Sequence, residues 1–135
     1  MKINGLAFTY NERVQFYTRL MNEFNRYAEK NNLNIKFQLT TLTPNNSTSY
    51  LNNYSNMIEN LLFRNSVKYD IYFYYGSYTE KYGPYFVNLE KYLSKEHIEK
   101  FDKDVIKNVC LYNNVIVGLV NIIFATFYYK LDKIK

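Results

Sequence analysis

The chain has 135 residues, a length that fits one domain, and its 17 Lys+Arg against 12 Asp+Glu leave a net charge of +5. Hydrophobic residues make up 47%, too many for intrinsic disorder, while 4 Gly and 2 Pro exclude collagen-like and proline-rich classes. One cysteine, Cys110, and one histidine, His97, rule out a disulfide framework, a cysteine-based zinc site and His-pair metal chemistry. The 16 Tyr, 10 Phe and 19 Asn fit the codon bias of an AT-rich genome as readily as a functional demand.

In chain order, Lys2 to Phe8 is a short apolar run and reads as a strand. Thr9 and Glu12 have capping-box spacing ahead of Val14, Tyr17, Leu20, Met21, Phe24, Tyr27 and Ala28, the stripe of one amphipathic helix ending at Asn31-Asn32. Leu33 to Leu39 alternates with period two and predicts a strand with one buried face. Thr43 to Thr48 is a loop, followed by a helix with Leu51, Tyr54, Ile58, Leu61 and Leu62 on one stripe. Lys68 to Tyr75 is a continuous aromatic strand closed by Gly76, and Ser77 with Glu80 predicts a capped third helix that Gly83-Pro84 breaks.

Val87 to Leu93 is mixed, anchored by Leu89 and Leu93. Ser94 caps a short helix over Lys95–Phe101, and Asp102 caps another over Lys103–Cys110. After the turn pair Asn113-Asn114, Val115 to Val120 reads as a buried strand, and Phe124 to Tyr129 as a further one. The apolar segment Val115 to Phe127 has 13 residues, short of the about 20 that a membrane span needs, so no membrane insertion is expected. Met1 to Gly5 has no apolar stretch of a signal peptide behind its charge. Strands alternating with helices predict an α/β fold with a mostly parallel sheet and right-handed crossovers. Leu131 to Lys135 has the composition of an opening helical turn, which points to a longer design.

The ordered segments resemble the N-terminal third of the family 1 extracellular solute-binding proteins, of type II periplasmic-binding-protein fold. Asn34-Ile35-Lys36-Phe37 after the first helix is similar to that family's opening, and Tyr69-Asp70-Ile71-Tyr72-Phe73 to its P-D-V-V-F strand, with Tyr69 in place of Pro. Phe86 to Leu93 resembles its G-A-L-L-P-L-D-D-Y-L segment. Asn114 to Val120 resembles D-G-K-L-Y-G-L-P with Val120 in place of Pro, and Phe127 to Asp132 resembles L-Y-Y-N-K-D-L. The resemblance implies a three-layer αβα arrangement in which residues 1–135 form a partial solute-binding domain, the front of lobe 1 up to the crossover into a missing second lobe. It implies a non-enzymatic binder of a small solute, commonly a sugar or oligosaccharide. The location it implies is extracellular or cell-surface, with a membrane transporter or receptor as partner of a full-length relative. The alternative is a truncated or degenerate copy that binds nothing and acts, if at all, as an interaction module. With late segments missing, Val115–Val120 and Phe124–Tyr129 are expected to leave apolar or edge surface exposed.

Fold physics indicates a site independently. In open α/β sheets ligands sit beyond the carboxyl ends of strands, where the strand order reverses. If the order begins 2-1-3, the loops after the first and third strands share one crevice and present Tyr10, Asn11, Gly76, Ser77 and Tyr78. Tyr10 and Tyr78 offer apolar faces with polar tips, as a sugar requires, and Gly76 permits close backbone approach. Thr9 and Ser77 fit a second role as plain helix caps, and Tyr75 fits core as well as crevice. No cluster of Arg or carboxylate there calls for a charged ligand. His97 lies in the polar run Lys95 to Lys100 and reads as a solvated helix face, and Cys110 as a small buried residue. No P-loop, GxSxG, HExxH or CxxC occurs, so neither catalysis nor a cofactor nor a metal is expected. Interspersed Lys and Glu without an RNP-like motif argue against nucleic acid.

Overall fold

The computed structural model describes residues 1–9, 14–46, 51–122 and 125–129. Strand β1 (Lys2–Phe8) leads to helix α1 (Val14–Lys30), β2 (Lys36–Leu42), α2 (Leu51–Phe63) and β3 (Ile71–Tyr74). Short elements follow: α3 (Thr79–Tyr82), α4 (Lys95–Ile98), α5 (Lys103–Val109), β4 (Leu111–Tyr112), β5 (Val115–Ile116), β6 (Leu119–Ile122) and β7 (Ala125–Tyr129).

The main sheet has the order β2-β1-β3-β7-β6. β1 runs parallel to β2, from Lys2 opposite Lys36 to Phe8 opposite Leu42, and parallel to β3 through Gly5–Ile71 and Leu6–Tyr72. β7 is antiparallel to both β3 and β6, so β6 shares the direction of the first three strands and the sheet is mostly parallel. Alternation along β1 and β3 sends side chains to two opposite cores. Ala7, Ile71 and Phe73 meet Tyr17 of α1 and Phe37 on one face, while Leu6, Phe8, Tyr72 and Tyr74 meet Tyr54, Ile58 and Leu62 of α2 and Tyr82 of α3 on the other. Helices on both faces give the three-layer αβα architecture.

Several elements differ from the sequence expectation in ways local geometry explains. β2 begins at Lys36, not Leu33, because the end of α1 consumes the intervening residues. Asn32 takes a left-handed φ of 54°, the Leu33 N–H bonds the Ala28 carbonyl at 2.8 Å and the Asn32 N–H bonds Glu29 at 3.1 Å, a Schellman closure. β3 is four residues long, shorter than Lys68 to Tyr75. Its entry is fixed at Asp70, whose N–H donates to the Asn4 carbonyl at 2.7 Å and whose carboxylate accepts the Asn4 N–H at 2.8 Å. Val115 to Val120 is two strands, not one. Left-handed Asn113 and Asn114 (φ 49° and 61°) close a tight hairpin between β4 and β5, and the Val117 N–H then returns to the Cys110 carbonyl.

The helix expected to reach Phe101 ends at Ile98, although Ser94 caps it as predicted, accepting the His97 N–H at 3.2 Å. Asp102 caps α5, accepting the Asp104 and Val105 N–H groups at 2.9 Å each. The expected exposure of Val115–Val120 is corrected for its middle: Ile116, Val117 and Leu119 are buried. Ile116 and Leu119 form a satellite core with Leu89, flanked by half-buried Val87, Leu93, Ile98, Phe101, Ile106 and Leu111.

Candidate functional site

The first two crossovers leave the sheet on opposite sides. α1 covers one face between β1 and β2, and α2 covers the other between β2 and β3, so the order reverses between β1 and β3. Their carboxyl ends therefore border one crevice, as the 2-1-3 order predicts. Its margins are held differently. On the β2 side the Thr9 N–H donates to the Leu42 carbonyl at 2.9 Å, keeping β1 and β2 together past their ends. On the β3 side the ladder to β1 stops at Leu6–Tyr72 and a side chain takes over. The Tyr54 hydroxyl, from the first half of α2, donates to the Phe73 carbonyl at 2.7 Å and more weakly to Leu6 at 3.3 Å. Its ring lies 5.3 Å from that of Phe8. Burial holds the Tyr54 phenol well above its usual pKa, so it remains a neutral donor.

The loop after β3 is a 3₁₀ turn over Gly76–Tyr78 that runs into α3. Neither segment has a side-chain N-cap, which corrects the expected capping box: Ser77 is exposed at the surface and does not cap. Tyr75 is extended and half-buried, between the two roles left open for it. Gly76 does need the absence of a side chain, and the reason is within the fold. A Cβ there would sit 2.6 Å from the Cβ of Val109, at the end of α5. The Thr79 hydroxyl clasps the same place, donating to the Val109 carbonyl at 2.6 Å. Tyr78 is half-buried and stacks on Tyr82 with centroids 5.7 Å apart and planes at 23°. Tyr82 is fully buried, donating to the Ser55 carbonyl at 2.9 Å and sharing a 2.7 Å hydrogen bond with the Ser55 hydroxyl. Burial pushes its phenol up to about 12, with the Ser55 bond pulling in the opposite direction. Lys81 pairs with Glu59 at 2.8 Å and completes the seam between α3 and α2.

Of the five residues singled out from sequence, Gly76, Ser77 and Tyr78 thus lie together at the end of β3, while Tyr10 and Asn11 lie outside the described residues. Tyr54, Ser55, Thr79 and Val109 support this margin and were not singled out as site residues. Tyr54 was legible only as part of a helix stripe, and nothing local marks the partners of Thr79 or Tyr82. Cys110 is buried and its thiol is pushed up to about 11 by desolvation, far from a reactive thiolate. His97 is exposed on α4 with its ring 5.7 Å from that of Phe101. Among the described residues, no three His, Cys, Asp or Glu side chains gather as a metal site, and no helix is long and apolar enough to cross a membrane. Among the described residues, the loop over residues 75–78 presents hydroxyl, backbone amide and aromatic groups.

No protein-family model matches the chain, and no curated protein matches it in sequence. Among solved structures, the chain is similar to an extracellular solute-binding protein from Staphylococcus aureus, whose structure was solved at 2.25 Å in complex with maltose. The TM-score is 0.61 at 20% sequence identity, over 87% of this chain and 27% of that one. The chain therefore shares its fold with part of that protein, as the ordered segments suggested. The chain spans about a quarter of the length of the protein it matches.

Proposed function

We propose that the chain is the opening part of lobe 1 of a two-lobed solute-binding protein, and that it supplies one wall of a site for a neutral polyol or small saccharide. The observation that carries this reading is the reversal of strand order between β1 and β3, in a fold shared with a maltose-bound protein. On this reading Tyr10 and Asn11 contact the ligand from the end of β1, and Gly76, Ser77 and Tyr78 from the end of β3. The ligand is held without covalent chemistry, through hydroxyl and amide hydrogen bonds and an aromatic face. In a longer protein the second lobe closes the site, and the assembled domain works outside the cell, handing ligand to a membrane transporter or signalling through a receptor.

One wall supplies half the contacts, so affinity for the chain alone is expected near millimolar, about −4 kcal/mol. Calorimetric titration of maltose into a chain extended to both lobes tests the reading. Asn11→Ala with Ser77→Ala is expected to weaken binding at least about tenfold, the loss of one or two hydrogen bonds. Unchanged affinity removes these residues from the site.

A second reading has an observation of its own. Gly76 and Tyr78 are each accounted for by packing, against Val109 and Tyr82, which is what a copy that keeps the fold and binds nothing would retain. The same titration separates the two readings, since such a copy shows no saccharide binding with either one lobe or two.

A further inference from the structure

Among the described residues, β2 lies at one border of the main sheet and pairs with β1 on one side only. In a parallel strand, alternate residues turn both N–H and C=O to the same side, so every second residue of β2 faces away from β1. The bonds identify which. The Lys36 N–H donates to the Met1 carbonyl at 2.9 Å and the Leu42 carbonyl accepts from Thr9, so even-numbered residues face β1. Phe37, Leu39 and Thr41 face outward. An open row of this kind is a template for another strand.

Here the row is occupied by side chains. Asn25, on α1, donates from Nδ2 to the Phe37 carbonyl at 2.9 Å and accepts the Phe37 N–H on Oδ1 at 2.7 Å. One primary amide thus presents the donor and acceptor that a neighbouring strand would bring. At the other end the Asn46 Nδ2 donates to the Thr41 carbonyl at 3.0 Å. Asn46 is held in place by the turn it sits in, where its Oδ1 accepts the Thr43 N–H at 2.7 Å. Just ahead of β2, the Ile35 N–H turns back onto the Leu33 carbonyl at 2.8 Å. Between the two amides lies Leu39, whose outward groups are bonded by none of the described residues.

We propose that Asn25 and Asn46 close the outer edge of β2 to strand addition, and that the strand they exclude is β2 of a second copy of this chain. The row is symmetric about Leu39, with Phe37 and Thr41 two residues to either side. An antiparallel pairing of two β2 edges about a twofold axis through Leu39 therefore brings each Phe37 opposite a Thr41. The segment Lys36–Leu42 contains one Phe, two Leu and two Thr, no Pro and a single charge, a composition that favours such pairing. Asn25 blocks it by holding both Phe37 groups that the incoming strand needs. This inference is independent of the ligand-binding reading.

The test compares the wild-type chain with Asn25→Ala and with Asn22→Ala, an exposed position one turn earlier on α1. Sedimentation velocity over a concentration series is read beside amide hydrogen exchange. Asn25→Ala is expected to self-associate at a concentration at least about tenfold lower than wild type, with Phe37 and Leu39 gaining protection on association, while Asn22→Ala behaves as wild type. Exchange in the wild-type monomer adds a readout that needs no variant: the Phe37 amide should exchange about tenfold more slowly than the neighbouring outward amide of Leu39. Equal exchange at the two positions overturns the proposal. So does association of Asn25→Ala that matches wild type or that protects amides away from β2.

Discussion

On the α1 side of the sheet, Ala7, Tyr17, Phe37, Ile71 and Phe73 make a small core whose helix partners Leu20 and Met21 are only half-buried. On the α2 side, Ile58, Leu62, Leu6 and Phe8 pack with Tyr54, Tyr69, Tyr72, Tyr74 and Tyr82, and most of these are nearly or wholly inaccessible. The two sides also differ in how polar atoms are used. Tyr54 and Tyr82 carry hydroxyls into the second core and attach them to carbonyls of β1, β3 and α2. The first core is tied at its edge by Asn25 of α1 on the Phe37 backbone, whereas the second carries directed hydroxyls inside the packing itself. The margin after β3 rests on the second core, where these hydroxyls fix the ends of β1, β3 and α2 relative to one another.

The largest expected difference between the halves comes from cavities. Ile58→Ala, at a fully buried position, should cost about 3–4 kcal/mol, whereas Leu20→Ala on the half-buried stripe of α1 should cost about half as much. Chemical denaturation of both variants reads this directly. Equal losses would mean that the two cores carry equal weight.

Next in size is Gly76→Ala. The added methyl meets the Cβ of Val109 at 2.6 Å, and overpacking of this kind costs about 1–3 kcal/mol. Pairing it with Val109→Ala should recover part of the loss, because the shortened side chain makes room. No recovery would move the cause of the strain away from α5.

The last effect is pH-dependent and acts on the tyrosine core. An unfolded phenol ionises near pH 10, while Tyr82 in the fold stays protonated to about 12. Between those values the unfolded chain has released a proton that the folded chain keeps, so stability falls as pH rises, by about 1.4 kcal/mol per pH unit for each such group. Tyr54 acts in the same direction. Tyr82→Phe should flatten the decline between pH 10 and 12 in a denaturation series. An unaltered slope would mean that Tyr82 does not stay neutral in the fold.

The sequence was most legible where structure is decided within one turn or one pleat. β1 has both its predicted ends, and Ser94 and Asp102 cap as their spacing says. Tyr17, Leu20 and Met21 of the α1 stripe and Tyr54, Ile58, Leu61 and Leu62 of the α2 stripe face the sheet, although Tyr27 is exposed. Failures came where a neighbour in space outweighed a neighbour in sequence. Leu33 to Ile35 alternates like a strand, yet its first residue is taken by the closure of α1. Ser77 and Glu80 have cap spacing, yet the turn there starts at Gly76, against Val109. The bonds that brace the site margin, Thr79 to Val109 and Tyr82 to Ser55, span 30 and 27 residues and leave no local mark. For the candidate site, strand order and the location of Gly76, Ser77 and Tyr78 were readable, but the packing duties of Gly76 and Tyr78 were not.

Chemical-shift mapping of maltose on the chain, repeated on a chain extended to both lobes, tests the central claim most directly. The account predicts shifts at residues 9–11 and 75–78, with weak saturation for the single wall and binding at least about tenfold tighter once a second lobe completes the contacts. Shifts that cluster on the outer face of α1, or no shifts with both lobes present, would contradict it.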